Sequence, residues 1–220
     1  NWPNTHTKIN FLIMGLLSIL FFAPAFADEN TEEIVESVTI IGSKDDQKNL
    51  AGSGQIISNE DLLKAMDTDI QKILTAVPGL TMRTEEGYGL RPNISIRGTA
   101  IERSAKVAIM EDGVLVAPSP YTSSSAYYFP TTGRIYAVEV LKGPAAVSQG
   151  PQTIGGAINL ISTPIPNAPS GKFVQELGEN GMMRTHAYFG GSSGNFGGLV
   201  EVHEHESDGF DSIANVGGDT

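Results

Sequence analysis

The last part of the chain alternates. Residues 172–178, 182–190 and 196–206 are three runs in which apolar and polar side chains take turns, joined by Glu179-Asn180-Gly181 and Ser192-Ser193-Gly194-Asn195. A period of two puts the two classes on opposite faces of an extended strand and argues against a helix. In the middle run Met183, Ala187 and Phe189 face one way and Arg184, His186 and Tyr188 the other; in the third, Val200 and Val202 oppose Glu201 and His203. Short turns make these runs an antiparallel meander. It suits a soluble sheet or the wall of a transmembrane barrel, whose strands need about ten residues each. Three strands cannot close a barrel, and an open edge cannot stand in lipid. On the barrel reading the chain is therefore expected to be a fragment.

Residues 9–22 form a largely apolar run behind Lys8, with Asn10 and Ser18 inside it. The run falls short of the roughly 20 residues that a membrane-spanning helix needs. Pro24 breaks it, and Ala25-Phe26-Ala27 has the small-x-small form of a cleavage site. Residues 1–27 thus read as a secretory signal peptide. The chain has no Cys and a formal charge of −11. No Cys excludes disulfides, thiol nucleophiles and thiolate metal sites. The acidic balance argues against nucleic acid, which needs a basic face.

Residues 28–54 read as a flexible arm, acidic or polar on both sides of one β-branched run: Glu36, Ser37, Val38, Thr39, Ile40, Ile41 and Gly42. Such an orphan strand is a candidate for addition to another protein's sheet edge, or an ordinary edge strand of the domain that follows. From Gln55 the texture is that of a small α+β domain. Ser58-Asn59-Glu60-Asp61 has capping-box chemistry before Leu62 and Leu63. Ile70, Ile73, Leu74 and Val77 have helical spacing, ended by Pro78-Gly79. Residues 80–83 and 93–98 read as strands. Residues 106–110 and 114–117 flank the hairpin signal Glu111-Asp112-Gly113. Residues 134–142 form another strand, a short helix covers 145–148, and residues 155–162 form the last strand before Pro164 and Pro166. The loop at 117–130, rich in Pro, Ser and Tyr, is long for a compact domain, which marks it as functional.

Five of these segments, in order, resemble the motifs of the TonB-dependent outer-membrane receptors: Leu74-Thr-Ala-Val-Pro78-Gly79-Leu80, Ile94-Ser-Ile-Arg97-Gly98, Glu111-Asp112-Gly113-Val114, Val138-Glu139-Val140-Leu141-Lys142-Gly143-Pro144 and Gly155-Gly156-Ala157-Ile158-Asn159. The wording of residues 104–113, 117–121 and 127–130 is closest to the ferric-dicitrate-type subgroup. The resemblance implies an α+β plug domain over residues 55–165, a small mixed sheet with short helices. The first antiparallel strands of a β-barrel follow over 166–220. It also implies that residues 36–42 are the TonB box, the strand that a periplasmic energy transducer captures. Arg97, Lys142 and Glu139 would then serve in charge pairing between plug and barrel. Arg91, Tyr121, Tyr127 and Tyr128 would face the substrate. The implied activity is energy-coupled uptake of a ferric chelate across the outer membrane of a Gram-negative bacterium, by a monomer with no cofactor. Its partners would be the transducer, the chelate and, through the full barrel, lipid. Residues 36–165 together, about 130 residues, have a radius of gyration of about 14 Å, so the body is roughly 35 Å across and needs a wide barrel.

Two other readings are weaker. Gly190-Gly-Ser192-Ser-Gly194 has the spacing of a nucleophile elbow, which requires a strand before it and a helix after; Asn195-Phe196-Gly197-Gly198 is a poor helix start. A soluble periplasmic binding or scaffold protein could also use the plug fold alone. Glu201, His203 and His205 could ligate a metal, but a lumen-facing polar stripe explains them without one.

Overall fold

The computed structural model describes residues 41, 52–65, 69–83, 85, 90–116 and 129–209. Among the described residues the first strand, β1 (Ser53–Ile57), leads into helix α1 (Asn59–Ala65). Ser58 caps that helix as its sequence requires: Ser58 N–H donates to Asp61 Oδ2, and Asp61 N–H donates back to Ser58 Oγ. Helix α2 (Ile70–Thr75) starts at Asp69, whose Oδ1 accepts Gln71 N–H, and buries Ile70, Ile73 and Leu74. It ends before Pro78, where Gly79 takes a positive φ of 84°. Strands β2 (Leu80–Arg83) and β3 (Asn93–Ile96) pair antiparallel.

Strands β4 (Val107–Glu111) and β5 (Val114–Leu115) form the hairpin foreseen at Asp112-Gly113, with φ of 48° and 77° at those two residues. Strands β6 (Ile135–Lys142) and β7 (Gly156–Ser162) are separated by a 3₁₀ helix over Gly143–Gln149, which contains the short helix expected at 145–148. The central sheet has the order β1-β6-β7-β4-β5; β4 and β7 run parallel and the other pairs antiparallel.

Both faces of that sheet are covered. On one, Val107, Ile109, Val138, Val140, Ile158 and Leu160 pack with α2 and with Ile94 and Ile96 of β3. On the other, Ala108, Met110, Leu141 and Ala157 pack with Ala146 and with Ile41. Every residue of β6 except Tyr136 is buried.

Strands β8 (Ser170–Leu177), β9 (Met183–Ser193) and β10 (Phe196–Glu206) form the meander, antiparallel and in unbroken register. Their faces are inverted relative to a soluble sheet. Phe173, Leu177, Phe189, Val200 and Val202 are each more than half exposed. Lys172, Glu176, Arg184, His186, Glu201 and His203 are half-buried on the other face. Among the described residues no helix is long and apolar enough to cross a membrane, which leaves open a crossing by strands.

Candidate plug core and plug-wall contacts

Residues of all five motifs meet in two polar constellations. The first lies where α2 stops. Arg97 N–H donates to Gly79 O at 2.8 Å, and Lys142 Nζ donates to Pro78 O at 2.9 Å. The Arg97 guanidinium lies over Gly143, where a Cβ would stand 2.9 Å from Nη1. Glycine there leaves the room that the guanidinium occupies, and its φ of 70° suits glycine as well. Arg97 itself has a φ of 54° and turns the chain, so β3 stops at Ile96 rather than running on to Gly98.

Two cations thus stand side by side. Lys142 is 6% exposed, while Arg97 is exposed. Burial, and then the neighbouring Arg97 charge, hold the Lys142 ammonium below its usual 10.5. Between that lowered value and 10.5 the unfolded chain binds more protons than the folded one. The stability penalty is therefore full at neutral pH and fades as pH rises through that window. We expect the denaturation midpoint of the intact receptor to gain on that of Lys142→Met between neutral pH and about pH 10. A constant difference between the two proteins would contradict this.

The second constellation lies inside the sheet. Glu139 and Asn159 are register partners on β6 and β7, both fully buried. Asn159 Nδ2 donates to Glu139 Oε2 at 2.9 Å, and Asn159 Oδ1 accepts the N–H of Gly113 at 2.8 Å. Glu139 Oε1 accepts the N–H of Ile41, also at 2.8 Å. Beside them Asp112 takes Ser162 N–H on Oδ1 and Ser162 Oγ–H on Oδ2. Glu139, expected in pairing plug to barrel, is fully buried and accepts these two hydrogen bonds from Ile41 and Asn159. Arg97, being exposed, stays available for such a pair.

The wall meets the plug through its polar face. Thr163 Oγ1 donates to Glu201 Oε1 at 2.6 Å, and His186 Nε2 lies 2.7 Å from the same oxygen. Arg184 pairs with Glu176 across β8 and β9. The His203 ring packs against Gly133, where a Cβ would collide with Nε2. Glu201 and His203 therefore serve contact with the plug. The Gly190-x-Ser192-x-Gly194 spacing falls on the end of β9 and its turn, without the helix that an elbow requires.

The remaining candidates divide by position. Arg91 is exposed beside β3. Tyr121, Tyr127 and Tyr128 lie outside the described residues, as do Glu36, Ser37, Val38, Thr39, Ile40 and Gly42. Phe129, at the end of the long loop, joins the core. Ile41, read from sequence as part of a flexible arm, is 4% exposed against the sheet. The signal that could have revealed it is its place at the apolar end of its run, but the partner is 98 residues away.

Comparison with known proteins agrees with this geometry. Over 204 residues the chain is 24% identical to the vitamin B12 transporter BtuB of Photobacterium profundum, covering 92% of this chain and 33% of that protein. Over 153 residues it is 31% identical to the iron-regulated outer membrane virulence protein of Vibrio cholerae serotype O1, covering 66% of this chain and 22% of that protein. The chain thus spans a third or less of the length of these curated relatives. Among solved structures, the ferric citrate transporter FecA in its unliganded form superposes with a TM-score of 0.63 at 23% identity, over 80% of this chain and 28% of that one, so the fold is shared. The model of the TonB-dependent receptor plug domain matches residues 46–157. With its model matched over half of the chain, the chain belongs to the TonB-dependent receptor plug domain family.

Proposed function

We propose that this chain is the plug and first wall strands of an outer-membrane transporter that takes up a ferric chelate, of siderophore or ferric-citrate type, in a Gram-negative bacterium. It is a transport protein rather than an enzyme. The observation that carries the reading is the inverted meander: its apolar face is exposed and its polar face lies on the plug. Water would penalise such a face, whereas lipid accepts it. That same face counts against a soluble scaffold. The names of the relatives support a metal-chelate substrate class, since they include a vitamin B12 transporter, an iron-regulated protein and a ferric citrate transporter.

The plug closes the barrel, so passage requires work on the plug. The outer membrane stores no ion gradient, and the work arrives through residues 36–42, captured as an added strand by a TonB-type transducer. Arg91 offers a fixed donor fork for carboxylates, and Tyr121, Tyr127 and Tyr128 offer hydroxyl donors on stiff rings. The test is growth under iron limitation with single ferric chelates added back, in cells carrying the full-length receptor or its deletion of residues 36–42. One chelate is expected to rescue the first and not the second, with equal receptor in the outer membrane. Equal rescue would overturn the energy-coupling claim.

A further inference from the structure

The polar face of the wall does not meet the plug evenly. At β10 the contact is direct: Thr163 Oγ1 donates to Glu201 Oε1 at 2.6 Å, and the His203 ring packs on Gly133. Facing β8 and β9 the plug stands off and leaves a cavity of about 80 Å³. Asn59, Leu62 and Leu63 of α1 form one side of it, and Lys172, Val174 and Tyr188 of the wall the other. Further charged groups on that wall are matched, Arg184 with Glu176 and His186 with Glu201. Lys172 is not. It is half-buried, and among the described residues its ammonium has no carboxylate or other acceptor.

The helix on the plug side of the cavity is lightly held. None of the seven residues of α1 is buried, Leu63 is 48% exposed, and Asn59 Nδ2 reaches Tyr136 O only at 3.3 Å. By contrast α2 buries Ile70, Gln71, Ile73 and Leu74. Elements with few buried apolar contacts open first. A path through the plug itself would part a sheet packed on both faces, whereas a path along α1 displaces water and one unburied helix.

We propose that this cavity is a transit site: α1 yields, and an anionic ferric chelate passes between it and β8–β9, received by the Lys172 ammonium. This rests on the transporter reading and adds to it the seam that opens. Closed, the cavity is far smaller than the roughly 300 Å³ that a drug-sized ligand fills, so it stops the chelate. Opened, it offers an unmatched cation on a polar wall, and Glu176, which lines the same cavity, is already held by Arg184. A single ammonium attracts an anion without the bidentate hold that would retain it.

The test fixes one seam at a time. Two full-length receptors, with any other cysteine removed, carry Leu63→Cys/Val174→Cys across the cavity or Thr163→Cys/Glu201→Cys across the β10 contact. Binding and uptake of radioactive ferric citrate, or of ferric enterobactin where citrate is not taken up, are measured in cells before and after a short bis-maleimide. Bridging the cavity should lower uptake on the order of tenfold with binding retained, and bridging the β10 contact should change it by less than about twofold. Lys172→Glu should lower the maximal rate on the order of tenfold at an unchanged half-saturating concentration, because like charges repel in a narrow seam, and Lys172→Arg should keep the rate. Undiminished uptake with the cavity bridged overturns the proposal. So does an equal loss with the β10 contact bridged, which would mean that the whole plug leaves the wall. If the cavity variant fails to reach the membrane, the Lys172 variants decide: an unaltered rate in Lys172→Glu, or an equal loss in Lys172→Arg, removes the transit site. Uptake of neither chelate by the unaltered receptor tells instead against the ferric-chelate reading.

Discussion

Gly156→Val is expected to destroy the plug. Gly156 opens β7, the strand lying between β4 and β6, with Val107 and Lys142 as its register partners. A Cβ at this position would collide with the backbone oxygen of Leu141 and stand 2.9 Å from Ile96 Cδ1, and the φ is 156°. The carbonyl belongs to a fully buried residue of β6, so it has nowhere to move without breaking the ladder. Branching at Cβ adds two methyl groups to a site with no room for one. Overpacking of a core commonly costs about 1–3 kcal/mol where side chains can shift; against fixed backbone we expect about 4 kcal/mol or more. The receptor should be missing from the outer membrane, or its plug should be cut by protease at concentrations that spare the unaltered protein. Gly98→Ala is the control. Nothing lies within 4 Å of a Cβ at Gly98, but its φ is 76°, so only conformational strain of about 1 kcal/mol is incurred. Equal protease resistance in Gly156→Val and the unaltered receptor would contradict this packing.

Removal of the plug, residues 36–165, from the full-length receptor should turn a closed barrel into an open pore. A domain roughly 35 Å across fits only a wide barrel, and side chains alone do not fill a barrel of that width. In planar bilayers the shortened protein should give large current steps, while the intact receptor stays near the level of the bare membrane. The polar face of β8–β10 makes this a water path, since Glu201 and His203 would lose their plug contacts and be hydrated. Equal conductance of the two proteins would mean that this domain does not occlude the pore.

Local pattern carried most of the fold. The capping box at Ser58, the helical spacing at Ile70, Ile73 and Leu74, and the Asp-Gly hairpin are short-range chemistry, and each is realised where it is written. The alternation in residues 172–206 gave the meander and its two faces. Arg97-Gly98 was less legible. Asn93-Ile94-Ser95-Ile96 alternates well enough to suggest that the strand continues, yet both following residues take positive φ and turn. The surroundings of Glu139 were not legible for a related reason. Val138-Glu139-Val140 alternates, which on a half-exposed sheet would set the charge in water. In this sheet both faces are covered, so alternation separates one buried face from another. What makes Glu139 tolerable there is Asn159 on the next strand and Ile41 far back in the chain. No local window contains these partners. The pairing of Lys142 with Pro78 O has the same character: the two are 64 residues apart.

The most direct test of the architecture is a single-cysteine scan of β8 and β10 in the full-length receptor, reconstituted in bilayers containing brominated lipid. Fluorophores at Phe173, Leu177, Val200 and Val202 should be strongly quenched by the lipid, and those at Lys172, Glu176, Glu201 and His203 should not. The alternation should follow the strand period of two residues. Quenching that ignores this period, or aqueous exposure of labels on both faces, would show that the meander is no membrane wall and would remove the basis for a plug seated against it.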